Sequence, residues 1–155
     1  MTTRVDVASR LIYAPPSDIY QAFAQPGSME QWLPPEDMTG KMLHFDFRVG
    51  GSYRMRLTYK DTHDDLGKTS DDADEVEAQL VNLEPGQCIV QEVSFASDDP
   101  LFADTMRMTW TFEPSNGGTC VTVRAENVPE GIRPEEHHAG LDSTLANLTR
   151  FTEVR

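Results

Sequence analysis

The chain has 155 residues, with 26 Asp and Glu against 13 Lys and Arg, and a formal net charge of −13. That balance argues against nucleic acid or an anionic membrane as a partner, because both require clustered Lys and Arg and the basic residues here are scattered. A chain of this length buries roughly 70% of its unfolded surface, so one domain spanning residues 1–155 can hold a core without metal, cofactor or disulfide.

The N-terminal residues lead straight into a strand pattern with no leader-like segment, and no run approaches the ~20 apolar residues of a membrane span. The expected location is the cytoplasm. Arg4 to Tyr13 reads as a first strand, with Val5, Val7 and Leu11 on one parity and Asp6 and Arg10 on the other. Ala14-Pro15-Pro16-Ser17 ends it. Two short helices follow: Asp18 to Ala24, with Ile19, Tyr20 and Phe23 on its apolar side, and a second from a Ser28 cap through Trp32-Leu33, stopped by Pro34-Pro35. Their aromatic residues are placed to close one end of a core.

Lys41 to Val49 alternates, with Leu43, Phe45, Phe47 and Val49 opposite Met42, His44, Asp46 and Arg48. Gly50-Gly51 reads as a hairpin turn into a strand that gathers Tyr53, Met55, Leu57 and Tyr59 on one face. Residues 60–75 form a polar, acidic stretch with the character of a solvated loop. Val76 to Leu83 and Gln87 to Phe95 make the next pair of strands around Glu84-Pro85-Gly86. After a looser segment, Ala96 to Ala103, the alternation is clearest of all: Met106, Met108, Trp110 and Phe112 against Thr105, Arg107, Thr109 and Thr111. Ser115-Asn116-Gly117-Gly118 turns the chain into Thr119 to Glu126, with Val121, Val123 and Ala125 inward.

The last element is a long helix, Arg133 to Phe151. Pro134 suits a first helical position, and Glu135 and Glu136 follow where negative charge favours the helix dipole. His137, Leu141, Thr144, Leu145, Leu148 and Phe151 recur at three- and four-residue steps, so one stripe needs a partner. The order is strand, two short helices, six strands and a long helix. Short turns make the strands an antiparallel meander with one wet face, and a curved sheet gripping the last helix is the economical α+β solution. In that meander one strand separates Cys88 from Cys120, about two spacings of ~4.8 Å. Bridged Cα atoms lie within about 7 Å, so two free, buried thiols are expected.

Several segments together identify a family. Ala14-Pro15-Pro16 with Tyr20 and Phe23, Trp32-Leu33-Pro34-Pro35 with Met38-Thr39-Gly40, and the run from Phe45 through Arg48-Val49-Gly50-Gly51-Ser52-Tyr53-Arg54-Met55 cover the first half. Gly67-Lys68-Thr69, Asp99-Pro100, Asn127-Val128-Pro129-Glu130-Gly131-Ile132, and His137 with Gly140 and Ser143 to Leu148 cover the rest. With these the chain resembles the START-like, helix-grip superfamily (SRPBCC, the Bet v-like fold). Within it the chain is similar to the homologues of the activator of heat-shock protein 90 ATPase. Relatives often carry Trp where this chain has Leu141, a departure that either widens the pocket slightly or has no consequence.

The resemblance implies a cavity between a curved sheet of about seven strands and the long helix, in a fold used for lipids, polyketides and other apolar molecules. It does not imply one activity. The candidate ligand-binding residues are Trp32, Phe45, Phe47, Tyr53, Met55, Leu57, Met106, Met108, Trp110, His137, Leu141 and Leu145, although periodicity alone does not separate lining from plain packing. His137, on the buried stripe, is placed either to meet a ligand at the cavity mouth or to hydrogen-bond a nearby carbonyl and serve structure.

No metal site is expected. Glu135, Glu136, His137 and His138 lack the three- or four-residue spacing of helical ligand pairs, since adjacent histidines diverge by ~100°. Asp61, Asp64, Asp65, Asp71 and Asp72 resemble a calcium loop only in composition. Nucleophile elbows and phosphate-cradling glycine loops are missing, so no catalytic residue is assigned. The leading expectation is non-enzymatic binding of a small, largely apolar molecule. The alternatives are a cyclase-like or aromatase-like enzyme using His137, Tyr53 or Tyr59, and a co-chaperone-type module acting on a chaperone ATPase through its surface. A homodimer is compatible with exposed apolar area on the first strand or the short helices.

Overall fold

The computed structural model describes residues 4–34, 38–59, 73–95 and 105–153. Its elements in chain order are β1 (Val5–Ile12), α1 (Pro16–Phe23), α2 (Pro26–Trp32), β2 (Met38–Phe45), β3 (Ser52–Tyr59), β4 (Ala73–Glu84), β5 (Cys88–Phe95), β6 (Met106–Ser115), β7 (Gly118–Glu126) and α3 (Pro134–Glu153). Hydrogen-bonded neighbours run β1-β7-β6-β5-β4-β3-β2 in one antiparallel sheet curled into a half-barrel. The meander closes on β1, which pairs with β7 from Val5↔Glu126 to Ile12↔Thr119. This is the helix-grip α+β arrangement, with α3 covering the inner face. The acidic stretch 60–72 and the segment 96–104 lie outside the described residues, whereas residues 73–75, expected in the acidic loop, begin β4.

The turns follow local chemistry. Asn116 and Gly117 have φ of 44° and 84° between the paired Ser115 and Gly118, so a two-residue Asn-Gly turn sets the β6–β7 register. Gly50-Gly51 does otherwise. The β2–β3 connection is a longer loop, in which Asp46 N–H donates to the Ser52 carbonyl and Gly51 N–H to the Arg48 carbonyl. The glycine pair then bonds sideways to β4: Gly50 N–H donates to the Leu80 carbonyl and Leu80 N–H to the Gly51 carbonyl, at 2.9 Å each.

Two expected faces are corrected. In β2 the register shifts between Met42, opposite Met55, and His44, opposite Arg54, so a bulge inserts one residue. Met42 and Phe45, expected on opposite faces, both pack against the core, and Leu43 is left exposed together with Val49. In β1 the buried parity is Asp6, Ala8 and Ile12, while Val5 and Val7 are 38% and 43% exposed. The register decides this: Asp6 and Ala8 sit opposite Ala125 and Val123, which face the core. Cys88 and Cys120 are free with one strand between them, but both are half-buried rather than buried, because the outer face they occupy is only partly covered. Burial and the nearby Glu84 carboxylate raise the Cys88 thiol above its ordinary pKa. The second short helix starts at Pro26 after Gln25, without the expected Ser28 cap.

α3 buries Leu141, Thr144, Leu145, Leu148, Thr149 and Thr152, with Phe151 half-buried. The threonines enter the core because their hydroxyls are satisfied. Thr149 donates to the Leu145 carbonyl and Thr152 to the Leu148 carbonyl, each at 2.8 Å, and Thr144 reaches the Leu33 carbonyl at 3.3 Å. Asn147 donates to the Pro34 carbonyl at 2.9 Å, and Glu153 accepts from Tyr13 N–H at 2.8 Å. These contacts pin both α2 and the end of β1 to the helix.

A side chain at Gly51 would overlap the Asp46 backbone oxygen, whereas one at Gly27 in α2 meets nothing within 4 Å. Urea unfolding should therefore show Gly51→Ala losing about 1–3 kcal/mol through forced backbone movement, while Gly27→Ala gains about 0.5–1 kcal/mol from reduced unfolded-state freedom. Equal effects of the two substitutions would contradict this account of the loop.

Candidate functional site

Eleven of the twelve candidate residues belong to one apolar cluster. Trp32, Tyr53, Met55, Met106, Met108, Trp110, Leu141 and Leu145 are buried within it, and Phe45, Phe47 and Leu57 are partly buried against it. The inner face has two characters. Toward α1 and α2 it is aromatic and interlocked. Phe23 lies edge-on to Trp32 and Trp110 at centroid distances of 4.6 Å and 5.0 Å, and the two indoles are 6.0 Å apart. Trp32 Nε1 donates to the Ala22 carbonyl at 2.8 Å, which fixes the second short helix onto the first. Tyr20 bridges Phe112 and Phe47, and Phe47 stacks on Phe45 at 6.0 Å.

Across the middle of the sheet the side chains are small or flexible. The cross-strand row Tyr53–Ala78–Val93–Met106 follows from the β3–β4, β4–β5 and β5–β6 registers, and the row beside it is Met55–Val76–Phe95. Leu57, Val76 and Phe95 are only half-buried at this end of the sheet. Among the described residues are two surface clefts: one of about 100 Å³, lined by Arg54, Glu75, Val76, Glu77, Ser94 and Phe95 and so sharing two residues with that row, and one of about 320 Å³ lined by Gln31, Asn147, Arg150 and Phe151. None of the twelve candidate residues lines either cleft.

Sequence reasoning missed buried polar residues on the inner face, Thr119 among them, and two bear on the candidate site. Gln91, between Ile89 and Val93 on the inward parity of β5, is 3% exposed. It accepts from Trp110 Nε1 at 3.1 Å and donates from Nε2 to Tyr53 Oη at 3.0 Å. Burial pushes the Tyr53 hydroxyl up to about 12, against the lowering effect of the Gln91 hydrogen bond. The second is Asp6, 4% exposed on β1. Gln91 carried a signal, as a polar residue on the parity of Ile89 and Val93; Asp6 carried none, because Val5, Val7 and Leu11 make the opposite parity of β1 the more apolar one.

Asp6 takes hold of His137. Its Oδ2 lies 2.7 Å from His137 Nδ1 and 3.0 Å from Arg4 Nη2, so the histidine at the start of α3 is clasped to the edge strand. His138 is exposed. Burial alone would raise the Asp6 pKa, but the hydrogen bonds and charges of Arg4 and His137 outweigh it and hold the carboxyl below its ordinary 3.8. A lowered folded-state pKa contributes stability that is present above the unfolded value and lost as pH falls through the folded value. Asp6→Asn should therefore cost about 2 kcal/mol at pH 7 by denaturant unfolding. The gap from the unsubstituted protein should narrow as the pH falls below 3.8. A gap that stays constant across that range would show that the clasp does not act through the ionised carboxylate.

Comparison with known proteins places this geometry. Residues 13–153 match the family described as Activator of Hsp90 ATPase homolog 1-like protein. A crystal structure of a Chromobacterium violaceum protein is 30% identical, with a TM-score of 0.84 and 96% of each chain covered. A Mesorhizobium loti protein is 21% identical with a TM-score of 0.73, covering 97% of this chain and 98% of that one. DynU16, from the dynemicin biosynthetic locus, shares the fold at 19% identity and a TM-score of 0.68, over 96% of this chain and 47% of its own. No curated protein matches. The extent of the family match and the likeness to the Chromobacterium violaceum structure agree: the chain belongs to the Activator of Hsp90 ATPase homolog 1-like family, on the SRPBCC fold.

Proposed function

We propose that this protein binds a small, largely apolar molecule between the inner face of the sheet and α3, and that it acts by binding rather than by catalysis. The observation that carries this reading is the composition of the central rows. Ala78 and Val93 form a low floor, and Met55, Met106 and Met108 stand around it. Thioether side chains rearrange at little cost, so a guest can enter by displacing methionine rather than by prying apart the interlocked aromatic end. Half-buried Leu57, Val76 and Phe95 offer an apolar approach from the edge of that floor. His137 is engaged with Asp6 in holding β1, which favours a structural role for it over proton transfer.

A guest bound at one hundred times its dissociation constant stabilises the folded state by about 2.7 kcal/mol, which for a chain of this size is a rise of roughly 5–10 °C in Tm. A thermal-shift screen of fatty acids, aromatic ketones and polyphenols is expected to find such a rise. Native mass spectrometry of gently purified protein is expected to show one retained small molecule. Ala78→Ile raises the floor and should abolish both signals while leaving the near-UV circular dichroism native. Ligand shifts that survive Ala78→Ile would move the site off this face, and a screen with no shift at all would sink the reading.

A further inference from the structure

The Trp110–Gln91–Tyr53 chain has a direction. An indole N–H can only donate, so the Gln91 carbonyl must face Trp110 and the Gln91 amide nitrogen must face Tyr53. Tyr53 Oη is therefore the acceptor in its bond with Gln91, and its own O–H proton is not used there. Among the described residues no acceptor meets that proton. Tyr53 is 4% exposed, and a buried donor left without an acceptor costs about 1–3 kcal/mol, so such protons in folded proteins are nearly always taken up by something.

The surroundings define what that acceptor is. Tyr53 lies beside the Ala78 floor and close to Phe45, whose ring centroid is 6.4 Å away. The arginines nearest in sequence, Arg54 and Arg56, are exposed on the opposite parity, and Arg56 pairs there with Glu75. The inner-face neighbours of Tyr53 among the described residues, Phe45, Ala78 and Gln91, carry no positive charge to balance a guest carboxylate or phosphate, Arg4 is already engaged by Asp6 on β1, and the net charge of −13 works against an anion as well. A phenol held near pKa 12 stays protonated throughout the physiological range and donates to a neutral oxygen.

We propose that Tyr53 is the recognition residue of this face: its hydroxyl donates to a neutral carbonyl oxygen on an otherwise apolar guest, with Gln91 and Trp110 as positioning residues. This rests on the binding function proposed above. It adds a ligand class, a hydrophobic ketone, ester or amide, distinguished from a hydrocarbon or fatty-acid anion.

The test uses a matched pair of probes, 2-acetylnaphthalene and 2-isopropenylnaphthalene, which differ in a carbonyl oxygen against a methylene. Calorimetric titration should show the unsubstituted protein favouring the ketone about tenfold. Tyr53→Phe should reduce that preference to near unity, with affinity for the ketone falling much more than affinity for the alkene. In difference infrared spectra, the 13C-labelled carbonyl stretch of the bound ketone should sit at a hydrogen-bonded, lowered frequency and return to its apolar-solvent value in Tyr53→Phe. That spectrum on the unsubstituted protein decides the matter even if the variant fails to fold, because a bound carbonyl at the apolar-solvent frequency overturns the proposal. Equal binding of the two probes, or a preference that survives Tyr53→Phe, overturns the anchor and leaves the binding function standing. Binding of neither probe overturns the anchor, and together with a ligand screen that shows no shift it overturns both.

Discussion

A single antiparallel sheet with one apolar face cannot exist alone in water, and covering that face is the constraint on which the rest of this structure depends. The cover is α3. Burying leucines such as Leu145 and Leu148 contributes roughly 2 kcal/mol each, but a helix of mean composition this polar needs more than leucine to stay down. Thr149 and Thr152 return their hydroxyls to the helix backbone and Thr144 donates to the Leu33 carbonyl, so the stripe widens without orphaned polar groups. In its C-terminal half, Asn147 to Pro34 and Glu153 to Tyr13 tie the helix to segments that precede it by more than a hundred residues. The Asp6–His137 clasp does the same at the start of α3, where the helix leaves the sheet edge.

The covered face divides into two regions with different mechanical properties. At the α1–α2 end, rings of Phe23, Trp32, Trp110 and Phe112 meet edge to face, and the indole of Trp32 is bonded to backbone. Such an assembly resists rearrangement, because every ring is positioned by two others. In the central rows, methionine, alanine and valine stand between Tyr53 and Phe95, and the polar chain Trp110–Gln91–Tyr53 runs from the rigid region into this one. The hydroxyl of Tyr53 is thus held at a fixed place beside a soft floor. Outer-face ion pairs such as Arg56–Glu75 and Arg107–Glu92 are exposed, and contribute little to either region.

Family membership accounts for the fold. The same fold recurs in the Chromobacterium violaceum protein, at 30% identity, and in DynU16, at 19%, so the architecture tolerates wide change in sequence. In this chain the inward-facing side chains that set the character of the central face include Ala78, Gln91 and Tyr53.

Much of the architecture was legible in the sequence because it rests on local periodicity. Met106, Met108, Trp110 and Phe112 alternate without interruption, and the α3 stripe repeats at helical spacing, so element type, order and the sheet-on-helix arrangement followed from the chain itself. The failures were physical rather than accidental. A bulge at Met42–His44 breaks period two and moves Leu43 outward, and nothing in the composition of β2 marks where the extra residue falls. On β1, hydrophobicity assigned Val5 and Val7 to the core, yet pairing with β7 and the presence of His137 and Arg4 made Asp6 the inward residue. Gln91 went unread for the same reason, since its burial is stabilised by partners 19 and 38 residues away in the chain. By itself the sequence determined which segments become strand or helix and that one face must be covered. Only the tertiary structure decided which polar groups go inside, because a buried carboxylate, amide or phenol is tolerated only where distant residues supply its hydrogen bonds.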